Sequence, residues 1–128
     1  MLVENRPGAN SIIGTELVAK AAGDGYTIIM ASIGHTVNPS FYGKVPYDPI
    51  RDFSPITLLA NLPLVMIVNP SLPVKTMRDL VALAKAKPGQ LSFGSAGNGS
   101  SPHLAGELLK TMATIAMVHV PYKGNGPA

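Results

Sequence analysis

The stretch GSAGNGSSPH, residues 94–103, decides how the chain is organised. LSF precedes it at residues 91–93 as a short β-prone run, and LAGELLKTM follows it with apolar residues at helical spacing. Small, polar, conformationally loose residues between a strand and a helix mark a tight turn, and Pro102 suits the first turn of the helix. The same order returns in VHVPYKGNGP, residues 118–127, so that strand, Gly-Asn-Gly and proline occur twice. The triplets at 97–99 and 124–126 are too short to establish a repeat. If a helix joins the two strands, however, they are parallel neighbours with both loops at the carboxyl edge, where open α/β sheets bind their ligands.

Such loops have a definite chemistry. Glycine permits positive φ and close approach, and the N–H groups that open a helix lie at the positive end of its dipole, which suits a carboxylate or a phosphate. Ser95, Asn98, Ser100 and Ser101 add uncharged hydrogen-bonding groups. The alternative is a plain strand-to-helix turn in which Ser101 only caps the helix. The residues alone leave both readings open.

Working outward, Thr76 and Asp79 have the spacing of a capping box opening a helix over residues 77–87, with Leu80, Val81, Leu83 and Ala84 on its apolar face and Pro88-Gly89 as its stop. A helix over 102–112 and strands over 91–93 and 117–120 complete this half. Upstream, Asn10 or Ser11 caps a helix carrying Ile13, Leu17, Val18 and Ala21, which Gly23-Asp24-Gly25 ends. YTIIMA, residues 26–31, reads as a buried strand. Residues 34–55, with Pro39, Pro46, Pro49 and Pro55, read as a long ordered loop. Strands over 56–60 and 64–68 flank Asn61-Leu62-Pro63, where proline predicts a bend rather than a continuous central strand. Alternating strands and helices predict an α/β fold with a mainly parallel sheet.

Composition narrows the function. With 46% hydrophobic and 13% charged residues, the 128-residue chain can bury a core. Its net charge of +3 comes from ten Lys and Arg against seven Asp and Glu, scattered singly. That favours a small anionic ligand over nucleic acid, which requires a basic stripe and stacking aromatics, here only 5% of residues. The absence of cysteine excludes disulfides, thiolate-bound zinc and a thiol nucleophile. Pro63, Asn69 and Pro70 break the most apolar region, so no run reaches the roughly 18 residues of a membrane span. LVENRPG after Met1 has no basic, apolar leader pattern, and the chain stops at GNGPA where Pro127 should open a helix; both ends read as cuts in a longer protein.

Sharper motifs fail on particular residues. Gly94 and Gly99 have phosphate-loop spacing, but Ser100 stands in the lysine position; Pro102 replaces the third glycine of a dinucleotide fingerprint. Ser100 and Ser101 lie near His103 without a nucleophile elbow, so a serine hydrolase is the weaker alternative. His103 and Glu107, four apart on a helix, could share a metal, yet only His35 and His119 remain as nitrogen ligands. The expectation is no metal, no cofactor, no catalysis, and a solvated His103–Glu107 pair. His119 reads as a satisfied strand residue, and Tyr122 and Lys123 as rim or ligand contacts.

The sequence resembles the substrate receptors of tripartite tricarboxylate transporters, the Bug-type periplasmic solute-binding proteins. The resemblance runs through VENRPGA, GTELVAKAAGDGYTIIM, VPYDPIRDFSPIT, LVMIVNPSLPVKT, FGSAGNGSSPHLAGELLK and MVHVPYKGNGPA, essentially the whole chain. It implies a periplasmic-binding-protein-like, Venus-flytrap fold, with residues 1–62 part of the first lobe and 63–128 part of the second, both incomplete. It also implies a non-enzymatic periplasmic receptor that closes on a small organic acid or amide-bearing metabolite and presents it to membrane transporter subunits, without inserting in the membrane or binding nucleic acid. A truncated piece that does not bind is the alternative. Carried over motif by motif, the ligand-binding residues are Ser95, Gly97, Asn98, Gly99, Ser100, Ser101 and His103, then Ser32, His35 and Asn38, and finally Tyr122, Lys123 and Gly124.

Overall fold

The computed structural model describes residues Met1–Ala128. Its elements are helices α1 (Ile12–Ala19), α2 (Gly34–Tyr42), α3 (Met77–Ala86) and α4 (Ser101–Ala113) and strands β1 (Ser92–Ser95) and β2 (Val118–Pro121). They divide between two compact units, Met1–Ala60 and Asn61–Ala128.

The second unit is built on a β1-α4-β2 crossover. The strands pair in parallel with Ser92 opposite Val118 and Ser95 opposite Pro121. α4 crosses β1 so closely that a Cβ on Gly106 would lie 2.6 and 2.8 Å from Phe93 ring atoms; the glycine is there because the aromatic ring is. α4 ends on Thr114 in the left-handed region, φ 53°, and the Ile115 N–H returns to the Lys110 carbonyl at 3.1 Å. Ile115 is thereby turned inward, forming the core of this unit together with Leu80 and Ala84. The capping box of α3 forms as predicted. Asp79 N–H donates to Thr76 Oγ1 at 3.2 Å, and the Asp79 carboxylate accepts from the Lys75 and Thr76 N–H groups. These bonds, that from Lys75 foremost, hold the Asp79 carboxyl below its ordinary 3.8.

The first unit departs further from expectation. The segment read as a loop contains α2, a helix with Pro39 inside it. Its poor intrinsic propensity is overridden by packing. Gly34 and Asn38 are buried, and a Cβ on Gly34 would meet the Asn10 carbonyl at 2.9 Å. Asn10 and Asn38 clamp the contact by two bonds, Asn10 Nδ2 to Asn38 Oδ1 at 2.8 Å and Asn38 Nδ2 to the Asn10 carbonyl at 2.9 Å. The entry to α1 is also unlike the predicted cap. Ser11, in the left-handed region, makes no side-chain cap bond. α1 buries Thr15, bonded to the Ser11 carbonyl at 2.8 Å, and leaves Ile13 and Leu17 about half exposed. The Gly23-Asp24-Gly25 turn forms, closed by the Tyr26 N–H on Asp24 Oδ1 at 3.0 Å.

The runs 26–31, 56–60 and 64–68, read as strands, join no ladder. Their apolar side chains stand in the open, Ile67 at 88% exposure. A strand is defined by its partner, and no second strand among the 128 residues pairs with any of the three. No helix is long and apolar enough to cross a membrane.

Candidate functional site

Because β1 and β2 are parallel, the two Gly-Asn-Gly loops leave the same edge of the sheet, and the pairing continues into them. Tyr122 N–H donates to the Ser95 carbonyl at 2.9 Å and Gly124 N–H to the Ala96 carbonyl at 3.1 Å. Gly97, at φ 125°, would place a Cβ 3.2 Å from the Tyr122 carbonyl, so the loops touch through their backbones. Gly97, Gly99 and Gly124 all have positive φ, the conformation for which glycine is required here. The structure thus brings together Ser95, Gly97, Asn98, Gly99, Ser100, Ser101, His103, Tyr122, Lys123 and Gly124.

Not all of these side chains are free to meet a ligand. Ser95, 1% exposed, lies inside the first loop; its Oγ accepts from the Gly97 N–H at 3.1 Å and reaches the Gly97 carbonyl at 3.2 Å. Ser100, the residue before α4, donates from Oγ to that same carbonyl at 2.7 Å instead of capping the helix. His103 is 8% exposed, and its Nδ1 accepts the Gly99 N–H at 3.0 Å. Four main-chain donors expected to meet an anion are therefore held within the protein: the Gly97 N–H by Ser95, the Gly99 N–H by the His103 ring, the Ser100 N–H by the Gly97 carbonyl and the Gly124 N–H by the Ala96 carbonyl. The exposed positions at the rim are Asn98, Tyr122 and Lys123, with Ser101 half-buried on the first turn of α4.

The expected solvated His103–Glu107 pair is also replaced. The His103 ring stacks on His119 with centroids 4.0 Å apart, and His119 in turn stacks on Phe93 at 5.0 Å. Glu107 Oε1 stands 4.0 Å from His103 Nε2, while the carboxylate pairs with Lys110 at 2.8 and 2.9 Å. His119 Nε2 meets Ser95 Oγ at 2.6 Å. Burial foremost, then the neighbouring His103, holds the His119 imidazole below its usual 6.5. Sequence spacing does not bring His103 and His119 together; only the crossover does.

In the first unit Ser32 is exposed and its carbonyl accepts the His35 N–H at 3.0 Å. His35 lies between Tyr47, stacked at 5.7 Å, and the edge-on Phe53 at 4.7 Å. Its Nε2 contacts the Pro49 carbonyl at 3.0 Å, and its buried Nδ1 has no partner. Asn38 is wholly buried in the Asn10 clamp and also reaches the Tyr47 hydroxyl at 3.3 Å. Its side chain holds the unit together and lines no opening.

Two other possibilities can be judged on geometry. A trough of about 760 Å³ in the second unit, bounded by residues 64–68, Leu80, Phe93 and Leu109, carries no charged side chain and offers an acid no counter-charge. The Ser95–His119 contact has the length of a nucleophile–base pair, but the hydroxyl is enclosed by the loop and cannot reach a substrate.

Comparison with known proteins brings in relatives over the full length of the chain. The family model for the tripartite tricarboxylate transporter family receptor matches residues 1–128. A protein encoded in the tcbD-tcbE intergenic region of Pseudomonas sp. (strain P51) is 46% identical over 128 residues, all of this chain and 38% of the relative. Protein BugT of Bordetella pertussis is 38% identical over 130 residues, all of this chain and 40% of BugT. Among solved structures, one described as a periplasmic transporter superposes with a TM-score of 0.90 at 44% identity, over 100% of this chain and 43% of that one. The R. palustris protein Rpa4515, solved with adipate, gives 0.93 at 39% identity, over 99% of this chain and 43% of that one. The chain thus spans about two fifths of the length of these relatives.

Proposed function

The chain belongs to the tripartite tricarboxylate transporter receptor family, and from that premise we propose that it carries part of a periplasmic receptor for a small dicarboxylate, which delivers the acid to membrane transporter subunits unchanged. The observation that carries this reading is the pair of Gly-Asn-Gly loops laid side by side at one sheet edge, joined by the Tyr122–Ser95 and Gly124–Ala96 bonds. The start of α4 opens beside them and favours negative charge through its dipole. The ligand contacts are the rim groups Asn98, Ser101, Tyr122 and the Lys123 ammonium beside the first turn of α4; Ser95, Ser100 and His103 hold the first loop, whose glycine N–H groups are bonded within the protein. Ser32, His35 and Asn38 belong to the first unit, where Asn38 acts by fixing α2. The kinship to a protein solved with adipate supports a dicarboxylate in particular.

Calorimetry of the intact receptor against C4 to C6 dicarboxylates, adipate included, tests the proposal. Binding without consumption of the acid is expected, and Gly97→Val, which drives a branched side chain into the Tyr122 carbonyl, should weaken it tenfold or more. Absence of heat with every acid would refute the reading, as would turnover of the ligand.

A further inference from the structure

The stacked imidazoles behind the first loop have a role that spacing along the chain does not reveal. A serine hydroxyl has one proton and two lone pairs. Ser95 places its proton on the Gly97 carbonyl and accepts the Gly97 N–H, which leaves one lone pair for the Nε2–H of His119 at 2.6 Å. Ser100 closes on the same Gly97 carbonyl, so this residue is fixed on both of its polar groups. The other arm of the loop is held by His103, whose Nδ1 takes the Gly99 N–H. The His103 ring is held flat against His119, 23° from parallel, and His119 is backed by Phe93.

We propose that His119 is a positioning residue for the ligand loop, ordering residues 97–100 through Ser95 on one arm and His103 on the other while the imidazole pair is neutral. The proposal rests on the receptor reading only for its effect on ligand affinity; the ordering of the loop stands without it. The arrangement sets the tautomer of each ring: His119 Nε2 carries the proton given to Ser95, and His103 Nδ1 is bare to accept the Gly99 N–H. The charged groups facing the pair are Glu107, beside His103, and Lys110, which is paired with Glu107 and lies 5.9 Å over the Phe93 ring; β1 contributes only Phe93 and Ser95. Two cations with ring centroids 4.0 Å apart repel, and burial adds to that cost. For His119, held below its usual 6.5, the unfolded chain binds more protons, so the stability that the neutral His119 ring contributes is complete above 6.5 and is lost as the pH falls below it, through the folded value.

The test compares the wild-type full chain with His119→Phe, which keeps the stack without the bond to Ser95, and His119→Gln, which restores an N–H donor that does not titrate. Amide-exchange protection of Gly97, Gly99 and Ser100 without ligand, adipate affinity by calorimetry and the ring ¹⁵N shifts of His103 and His119 are all measured at pH 7.5. Phe should lower Gly97 protection about tenfold, the equivalent of roughly one net hydrogen bond, and weaken adipate to a similar degree; Gln should recover most of both. The wild-type shifts should show a proton on His119 Nε2 and none on His103 Nδ1. Unchanged loop protection in the Phe variant, failure of Gln to rescue Gly97, or a wild-type His119 with no proton on Nε2 would each overturn the proposal. The wild-type ring shifts decide even if a variant fails to fold. A wild-type protein that binds no acid would refute the receptor reading alone, because loop protection is read without ligand.

Discussion

Two regions of this chain look equally strand-like in sequence and have opposite fates. VHVP at residues 118–121 pairs along its length with SFGS, whereas LVMIV at 64–68, more apolar and more β-branched, joins no ladder and leaves Ile67 and Val65 in solvent. The difference lies in the intervening chain. β1 and β2 are joined by a helix of the right length to return the chain in parallel, and Gly106 lets that helix lie on Phe93. Residues 64–68 have an apolar side chain pattern and no partner within reach, so hydrophobicity alone gives them neither ladder nor burial. Pattern supplies the capacity to pair, and topology supplies the pair.

The largest test of this contrast is Gly106→Ala. In the interior of a helix this change ordinarily stabilises by roughly 1 kcal/mol. Here overpacking against Phe93, at about 1–3 kcal/mol, should outweigh that gain and lower the urea midpoint of the second unit. A stabilised variant would mean that α4 does not lie on β1 as described. Thr76→Ala comes next: loss of the reciprocal cap on α3 should cost about 1 kcal/mol, with amide exchange accelerated in the first turn of the helix. A cost near zero would show that packing of Leu80 and Ala84 holds α3 without its cap. The smallest effect is expected from Ile67→Ser in the 128-residue chain, within about 0.5 kcal/mol in the same denaturation experiment. Destabilisation of 2 kcal/mol or more would place Ile67 in a buried ladder and erase the distinction between the two regions.

The site divides in a similar way. Gly97, Gly99 and Gly124 were legible as loop glycines because a turn between strand and helix requires positive φ, and all three adopt it. The side chains around them were not legible in the same sense. Ser95 and His103 have the chemistry of ligand contacts and are spent on holding their own loop, and His119, which reads as an ordinary strand residue, lies at the centre of the stack. A register in which Phe93 faces His119, and a helix that returns His103 over both, would have been the signal, and neither is a local property. α2 was missed for a related reason: its residues are poor helix formers, and the Asn10–Asn38 clamp that rescues them spans 28 positions.

What the sequence determined by itself was therefore what is written in neighbouring residues: the capping box of α3, the strand-turn-helix at 92–113, the parallel return to residue 118 and the glycine loops at their ends. Local signals suffice there because caps, turns and amphipathic spacing act over a few residues. The tertiary structure alone decided which strand-like runs pair, which polar side chains turn inward, and that two histidines sixteen residues apart share one stack. Those outcomes depend on contacts between distant segments, whose energies exceed any local preference and leave no trace in residue spacing.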